Sequence, residues 1–384
     1  MEILSARAVL DGLRLVDHHC HGVTGAELAR PDFERLLTEA HDPASAGGST
    51  FDTLLGLAVR RWCAPVLDLP PHPLPEDYLT RRAELGAGEA NRRLLHAAGV
   101  ADLLVDDGYQ PAEPLPAQAL TAASGARVRR VLRLEALAEQ VAADGVAAAD
   151  FARTFADRLA DQAATAVGLK SVVAYRASLD LDPAPPRPAE VTAAAGSWLA
   201  RCERLGRYRV TDPVLLRHLL RAGAELAMPL QLHTGFGDPD LRLHRSDPAL
   251  LTDFCAGIAG TGTTVLLLHC YPYHRQAAFL ASVYPHVYCD IGLALNYVGA
   301  RAAAVLAETL ELAPFGKLLY SSDAFGLAEL HLLGAVQLRR ALGSVLDGWV
   351  ADGDIAAADA ARYAQMIGAG NAQRVYRLDP PPAA

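Results

Sequence analysis

The sequence predicts an α/β fold: one (β/α)8 barrel over residues 1–384, with a helical cap inserted at 22–99, a tail at 377–384 and no β-sandwich module. Three observations predict it. Eight short apolar or β-branched runs recur, most of them followed by an Ala-rich helical stretch. Several runs end in a histidine or a carboxylate, as they would if every strand C-terminus faced one mouth. The chain has 384 residues, 51% hydrophobic and 21% charged, which is enough apolar surface for a large core and excludes a disordered chain.

The expected strands lie at 13–21, 100–109, 127–135, 167–175, 229–233, 263–269, 287–291 and 317–321. Segments 150–166, 214–227, 276–284 and 300–312 between them have helical composition. The stretch from Gly22 to Gly99 is too long for one crossover helix. Its helical runs at 32–39, 51–62 and 76–92 surround a Pro-rich bend at 65–75, and the segment reads as a cap over the barrel mouth. A Pro-rich loop follows at 181–190, and 329–375 reads as closing helices. Only about twelve residues precede the first strand, too few for an N-terminal sandwich domain.

Composition narrows the function. Against 44 Asp+Glu there are 35 Lys+Arg, a net charge of -9, with no basic stripe to track phosphates, so nucleic acid is not the expected partner. No apolar stretch approaches the roughly 18 to 20 residues of a membrane span, and Glu2, Arg7 and Asp11 interrupt any signal-peptide core. The 6 cysteines contain no CxxC pair and suit reduced thiols, so a cytoplasmic protein acting on a small molecule is expected.

The chemistry gathers at strand ends. In Asp17-His18-His19-Cys20-His21, strict alternation puts Asp17, His19 and His21 on one face and His18 and Cys20 on the other. The runs ending at His233 and His269 close on imidazoles, and the eighth is followed by Asp323. Imidazoles with one carboxylate suit Zn²⁺ or another divalent first-row ion, with a position left open for water. Lys170 lies inside an apolar strand, where a bare ammonium is costly, and Glu135 follows the third run as a ligand, a base or a helix-start carboxylate. Arg176, next to Tyr175, is a candidate clamp for a substrate carboxylate, as are Tyr271 and Arg275 after the sixth strand. Asp17 is expected to orient the metal histidines, and the remaining histidines, His18 and His331 among them, read as background.

The pattern Asp17-x-His19-x-His21, Lys170, His233, His269, Asp323 resembles the amidohydrolase superfamily of metal-dependent barrels, over nearly the whole chain. The runs Leu232-His233-Thr234-Gly235-Phe236-Gly237-Asp238, His269-Cys270-Tyr271-Pro272 and Tyr320-Ser321-Ser322-Asp323-Ala324 are similar to the amidohydrolase-related branch. That branch includes the N-terminal domain of fungal and plant proteins fused to a glutamine-synthetase-like domain. The resemblance implies a hydrolase of an amide C–N bond, with γ-glutamyl-type amides suggested by the fused neighbours. It implies His19, His21, His233 and Asp323 as metal ligands, with His269 on a second ion or on the substrate carbonyl. Lys170 would bridge two ions once carboxylated, so the metal count is one or two. Asp323 would take the proton of the attacking water. A non-oxidative decarboxylase of the same superfamily, with one ion on the same ligands, is the alternative; a sugar-acid isomerase and a pseudoenzyme carry less weight. A homodimer is a common state of such barrels.

Overall fold

Seven of the eight expected runs form strands: β1 (Leu15–Cys20), β2 (Val100–Asp106), β3 (Arg127–Arg133), β4 (Gly168–Ser171), β5 (Leu230–Thr234), β6 (Val265–His269) and β7 (Val287–Cys289). They pair in sequence order and every pairing is parallel. The structure is a computed structural model that describes residues 4–42 and 47–379, so the end of the expected tail, 380–384, lies outside the described residues. Every residue of β1, β2, β4, β5 and β6 is buried, as the strands of a parallel sheet covered on both faces must be. The result is a TIM-barrel-like parallel sheet with flanking helices.

The eighth run corrects the expectation of a regular eighth strand. Leu318 makes an isolated parallel bridge to Cys289, and the Leu319 N–H donates to the Cys289 carbonyl at 3.0 Å. On the other side the His18 N–H donates to the Tyr320 carbonyl at 3.1 Å, and the Asp323 N–H to the His19 carbonyl at 3.0 Å. The segment therefore lies between β7 and β1, bonded to both. It is not a strand because the Ser322 N–H is taken by the Asp17 carboxylate at 2.9 Å, and Asp323 then turns into the left-handed region at φ 47°. β4 is cut short in the same way: Glu135 accepts from the Ser171 hydroxyl and the Val172 N–H, and Val173–Arg176 coils into a helical turn.

Strict alternation in β1 also fails. Asp17 pairs with Leu103 and Cys20 with Val105, so β1 holds one residue more than β2 between those pairs. That irregularity places Asp17 on the face opposite His19, and it turns His18 to the same side as His19. A small buried cluster of Val16, Leu104, Val131, Leu266, Leu268 and Leu319 packs on Ala372 and Tyr376 near the C-terminus. The larger core joins the other strand faces to the helices.

Within the insertion, short helices at Arg30–Arg35 and Leu54–Ala58 precede a long one at Pro75–Ala97. Phe33, Phe51 and Tyr78 pack there in one buried aromatic group. Arg82 Nε and the Tyr78 hydroxyl both donate to buried Glu329 Oε1 at 2.9 Å, tying this helix to the helix Ala328–Asp352. Among the described residues no helix is long and apolar enough to cross a membrane.

Candidate metal centre

The ends of β1, β4, β5 and β6 and the irregular segment after β7 meet at the floor of one cavity of about 460 Å³. His19, His21, Lys170, His233, His269 and Asp323 all line it. His19 Nε2 lies 3.0 Å and His21 Nε2 3.5 Å from Asp323 Oδ1, while His269 Nε2 is 3.5 Å from Oδ2. The His233 ring sits 4.7 Å from that of His269, centre to centre. Lys170 Nζ is 3.4 Å from His19 Nε2.

Burial sets the charges of this group. Desolvation pushes the His19 imidazole down to about 3 and His269 down to about 4, with Lys170 adding to both, and it lowers His233 well below its ordinary value. Burial alone would raise Asp323, but the His269, His19 and His21 imidazoles hold its carboxyl well below the usual range. Neutral His19, His233 and His269 rings therefore flank an ionised, buried carboxylate. Burial also brings Lys170 down to about 8.

The donor set fits a divalent cation. One ligand atom each from His19, His21 and Asp323 lies within 4.8 Å of the others. His233 Nε2 and His269 Nδ1 are buried without a hydrogen-bond partner among the described residues, which is costly for a ring nitrogen unless it meets an ion or substrate. His21 Nδ1 lies 3.2 Å from the Asp106 carbonyl, so its proton sits there and Nε2 presents a lone pair to the centre. Neutral nitrogen donors with one carboxylate suit zinc or a similar first-row ion.

The amidohydrolase family model matches residues 58–378. The chain belongs to the amidohydrolase family. It is a metal-dependent hydrolase of the amidohydrolase superfamily. This amidohydrolase is similar to Protein fluG of Emericella nidulans, 35% identical over 289 residues that cover 67% of the chain and 33% of that protein. The chain thus spans about a third of the length of that curated relative. Among solved structures it is similar to a Lactobacillus casei protein assigned as a metal-dependent hydrolase, at 28% identity and a TM-score of 0.85 over 98% of both chains. Glucuronate isomerase of Caulobacter crescentus shares the fold at 15% identity and a TM-score of 0.64, over 98% of this chain and 94% of that one.

The expected substrate-binding residues divide. Tyr175 and Arg176 line the cavity of the amidohydrolase, with the Tyr175 ring 4.5 Å from that of His233. Arg176 is already paired, its Nη1 2.9 Å from Glu139 Oε1. Glu135, Tyr271 and Arg275 are not among the lining residues. Buried Glu135 braces the end of β4 instead, Tyr271 stacks on His274, and half-exposed Arg275 pairs with Glu311.

Several residues that shape the amidohydrolase site were not singled out from the sequence. Glu39, from the insertion, lines the cavity and accepts from the Tyr297 hydroxyl at 3.0 Å; burial and then Asp323 push its carboxyl up to about 7. Arg133 also lines it, paired with buried Asp106 at 2.6 Å. Gln231 reaches His19, and Asp290 accepts from the His269 N–H at 2.6 Å while lying 2.7 Å from His18 Nε2. Of the background histidines, His18 takes part in this network through its 2.7 Å contact with Asp290. A glutamine within an apolar strand, as in Leu230-Gln231-Leu232, was the one available hint.

Proposed function

We propose that this protein hydrolyses the amide C–N bond of a small carboxylate-bearing molecule, with γ-glutamyl-type amides as the first class to test. One observation carries the reading. The Nε2 atoms of His19 and His21, the Asp323 carboxylate and the unpartnered Nε2 of His233 converge on the floor of a single cavity. These four residues would hold the ion, with His269 and a carboxylated Lys170 available to a second. A divalent ion there would supply a water acidified from about 15.7 toward 7 and would polarise a substrate carbonyl.

The chain's own groups do the rest. Asp323, kept anionic by its histidines, accepts the proton of the attacking water and returns it to the leaving nitrogen. Tyr175, over His233, faces the reacting carbonyl, and Arg176 holds a substrate carboxylate from the cavity wall. The insertion at 22–99 acts as the cap that sets substrate choice, supported by Glu39 and His41 on the cavity wall. On this reading one metal-dependent domain spans the chain, and the segment between β7 and β1 completes an eight-part barrel.

The test is metal content per chain by mass spectrometry, on protein purified without chelators, followed by assays of amine release from γ-glutamyl amides. A value near two supports the hydrolase with a modified Lys170. A value near one with CO2 release from an aromatic or unsaturated acid would replace it with the decarboxylase. No metal, and none taken up on titration, overturns both. Asp323→Asn is expected to abolish turnover while leaving the fold intact; an active variant refutes the assignment.

A further inference from the structure

Gln231, the second residue of β5, is fully buried below the metal centre. Its Oε1 lies 2.8 Å from His19 Nδ1. Its Nε2 donates to the His18 carbonyl and to the Tyr376 hydroxyl, both at 2.7 Å. A carbonyl oxygen can only accept, so the nitrogen end of the amide must face His18 and the oxygen end must face His19. The amide oxygen also only accepts, so the proton of a neutral His19 ring sits on Nδ1. Its lone pair is then on Nε2, the atom 3.0 Å from Asp323 Oδ1. Tyr376 is held in turn: its hydroxyl is 3.0 Å from His18 Nδ1, and His18 Nε2 is 2.7 Å from buried Asp290.

We propose that Gln231 is a positioning residue of the metal centre, selecting the His19 tautomer that can bind an ion, with the His18 carbonyl fixing the amide the right way round. The proposal rests on the reading of His19 as a metal ligand. His19, in β1, and His21, just past its end, differ in this respect. The tautomer of His21 is set by a main-chain carbonyl, that of Asp106, which no substitution removes. The tautomer of His19 depends on one side chain. Through Tyr376, the segment that follows the last helix, Asn371–Val375, reaches the centre although it does not line the cavity.

A packing role and a tautomer role predict opposite orders for two substitutions. Leucine resembles glutamine in size and suits an apolar interior, but it cannot accept a proton from His19 Nδ1. Glutamate accepts that proton well, yet it sets a carboxylate against the His18 carbonyl and suits the packing poorly. The experiment measures zinc affinity of the full-length apoprotein by competition with a chromophoric chelator, beside the melting temperature of the same metal-free samples. Gln231→Leu is expected to bind zinc about 10- to 100-fold more weakly than wild type while its apoprotein melts within a few degrees of it. Gln231→Glu is expected to bind zinc better than Gln231→Leu even where its apoprotein melts lower. If Gln231→Glu does not fold, the ring ¹⁵N chemical shifts of His19 in the zinc-free protein decide: wild type is expected to carry its proton on Nδ1, and Gln231→Leu to lose that preference. Wild-type affinity in Gln231→Leu, a zinc-free wild-type His19 ring protonated on Nε2, or a glutamate variant weaker than the leucine one, overturns the proposal. Failure of the metal reading looks different: wild type itself then binds no zinc, or binds it unchanged after His21→Ala.

Discussion

Asp17 holds Ser322 by two bonds, the backbone N–H to Oδ1 at 2.9 Å and the hydroxyl to Oδ2 at 2.5 Å. This clamp joins β1 to the segment after β7 and sets the next residue, Asp323, beside His19. Burial pushes the Asp17 carboxyl up to about 7, against the pull of the Ser322 bonds. A carboxyl raised in the folded state favours folding most below its unfolded value near 3.8, and that contribution is lost as pH rises through about 7. Asp17→Asn cannot ionise, so metal-free Asp17→Asn should gain on metal-free wild type between about pH 4 and pH 7. Thermal melts across that range check it, and a difference that stays flat with pH refutes it.

The pair of Arg133 and Asp106 is a second clamp, with Nη2 and Oδ2 2.6 Å apart and both side chains buried or nearly so. Asp106→Asn leaves a guanidinium unpaired at the cavity wall, an expected loss of about 3–5 kcal/mol in urea denaturation. Joining it to Arg133→Met should recover much of that loss, because no buried charge then lacks a partner. A double variant no more stable than the single one argues against the pairing as the cause.

Gly237 sits where a side chain has no room. A Cβ there would lie 1.8 Å from the Tyr175 hydroxyl and 3.3 Å from His233 Nε2. Gly237→Ala should destabilise by about 1–3 kcal/mol through overpacking, and it should displace Tyr175 from the centre. Adding Tyr175→Phe removes the nearest clashing atom and should restore part of the stability. Equal denaturation midpoints for wild type and Gly237→Ala would rule the contact out.

Metal removal should be visible without any substrate. On the proposed reading, an ion held by His19, His21, His233 and Asp323 would bind the folded chain alone. Zinc at 100 times its dissociation constant should therefore add about 2.7 kcal/mol to the stability of the chelator-stripped protein. His233→Ala should shrink that increment, read as the shift in melting temperature on adding zinc. An undiminished shift would place the ion elsewhere.

Much of this architecture is legible in the sequence because period and terminal residue survive in one dimension. Seven apolar runs became the seven parallel strands, and the polar residues closing them, His19, His21, His233, His269 and Asp323, came to line one cavity. Lys170 could be singled out for the same reason: a charge in an apolar strand is expensive wherever the chain folds.

Other features were decided only by the tertiary structure. Alternation put Asp17 with His19 and His21, but one extra residue in β1 turned its carboxylate to Ser322 and brought His18 inward. The run at 317–321 has strand composition, yet a carboxylate from β1 takes the ladder donor of Ser322 and Asp323 turns out of the strand. Arg275 and Tyr271 follow β6 in sequence, but the helix His274–Val283 carries Arg275 to Glu311, and Tyr271 stacks on His274. Gln231 matters through a carbonyl and a hydroxyl contributed 213 and 145 positions away. Composition and period report which face a residue prefers to bury. They do not report which partner waits there, and hydrogen bonds are decided by that partner.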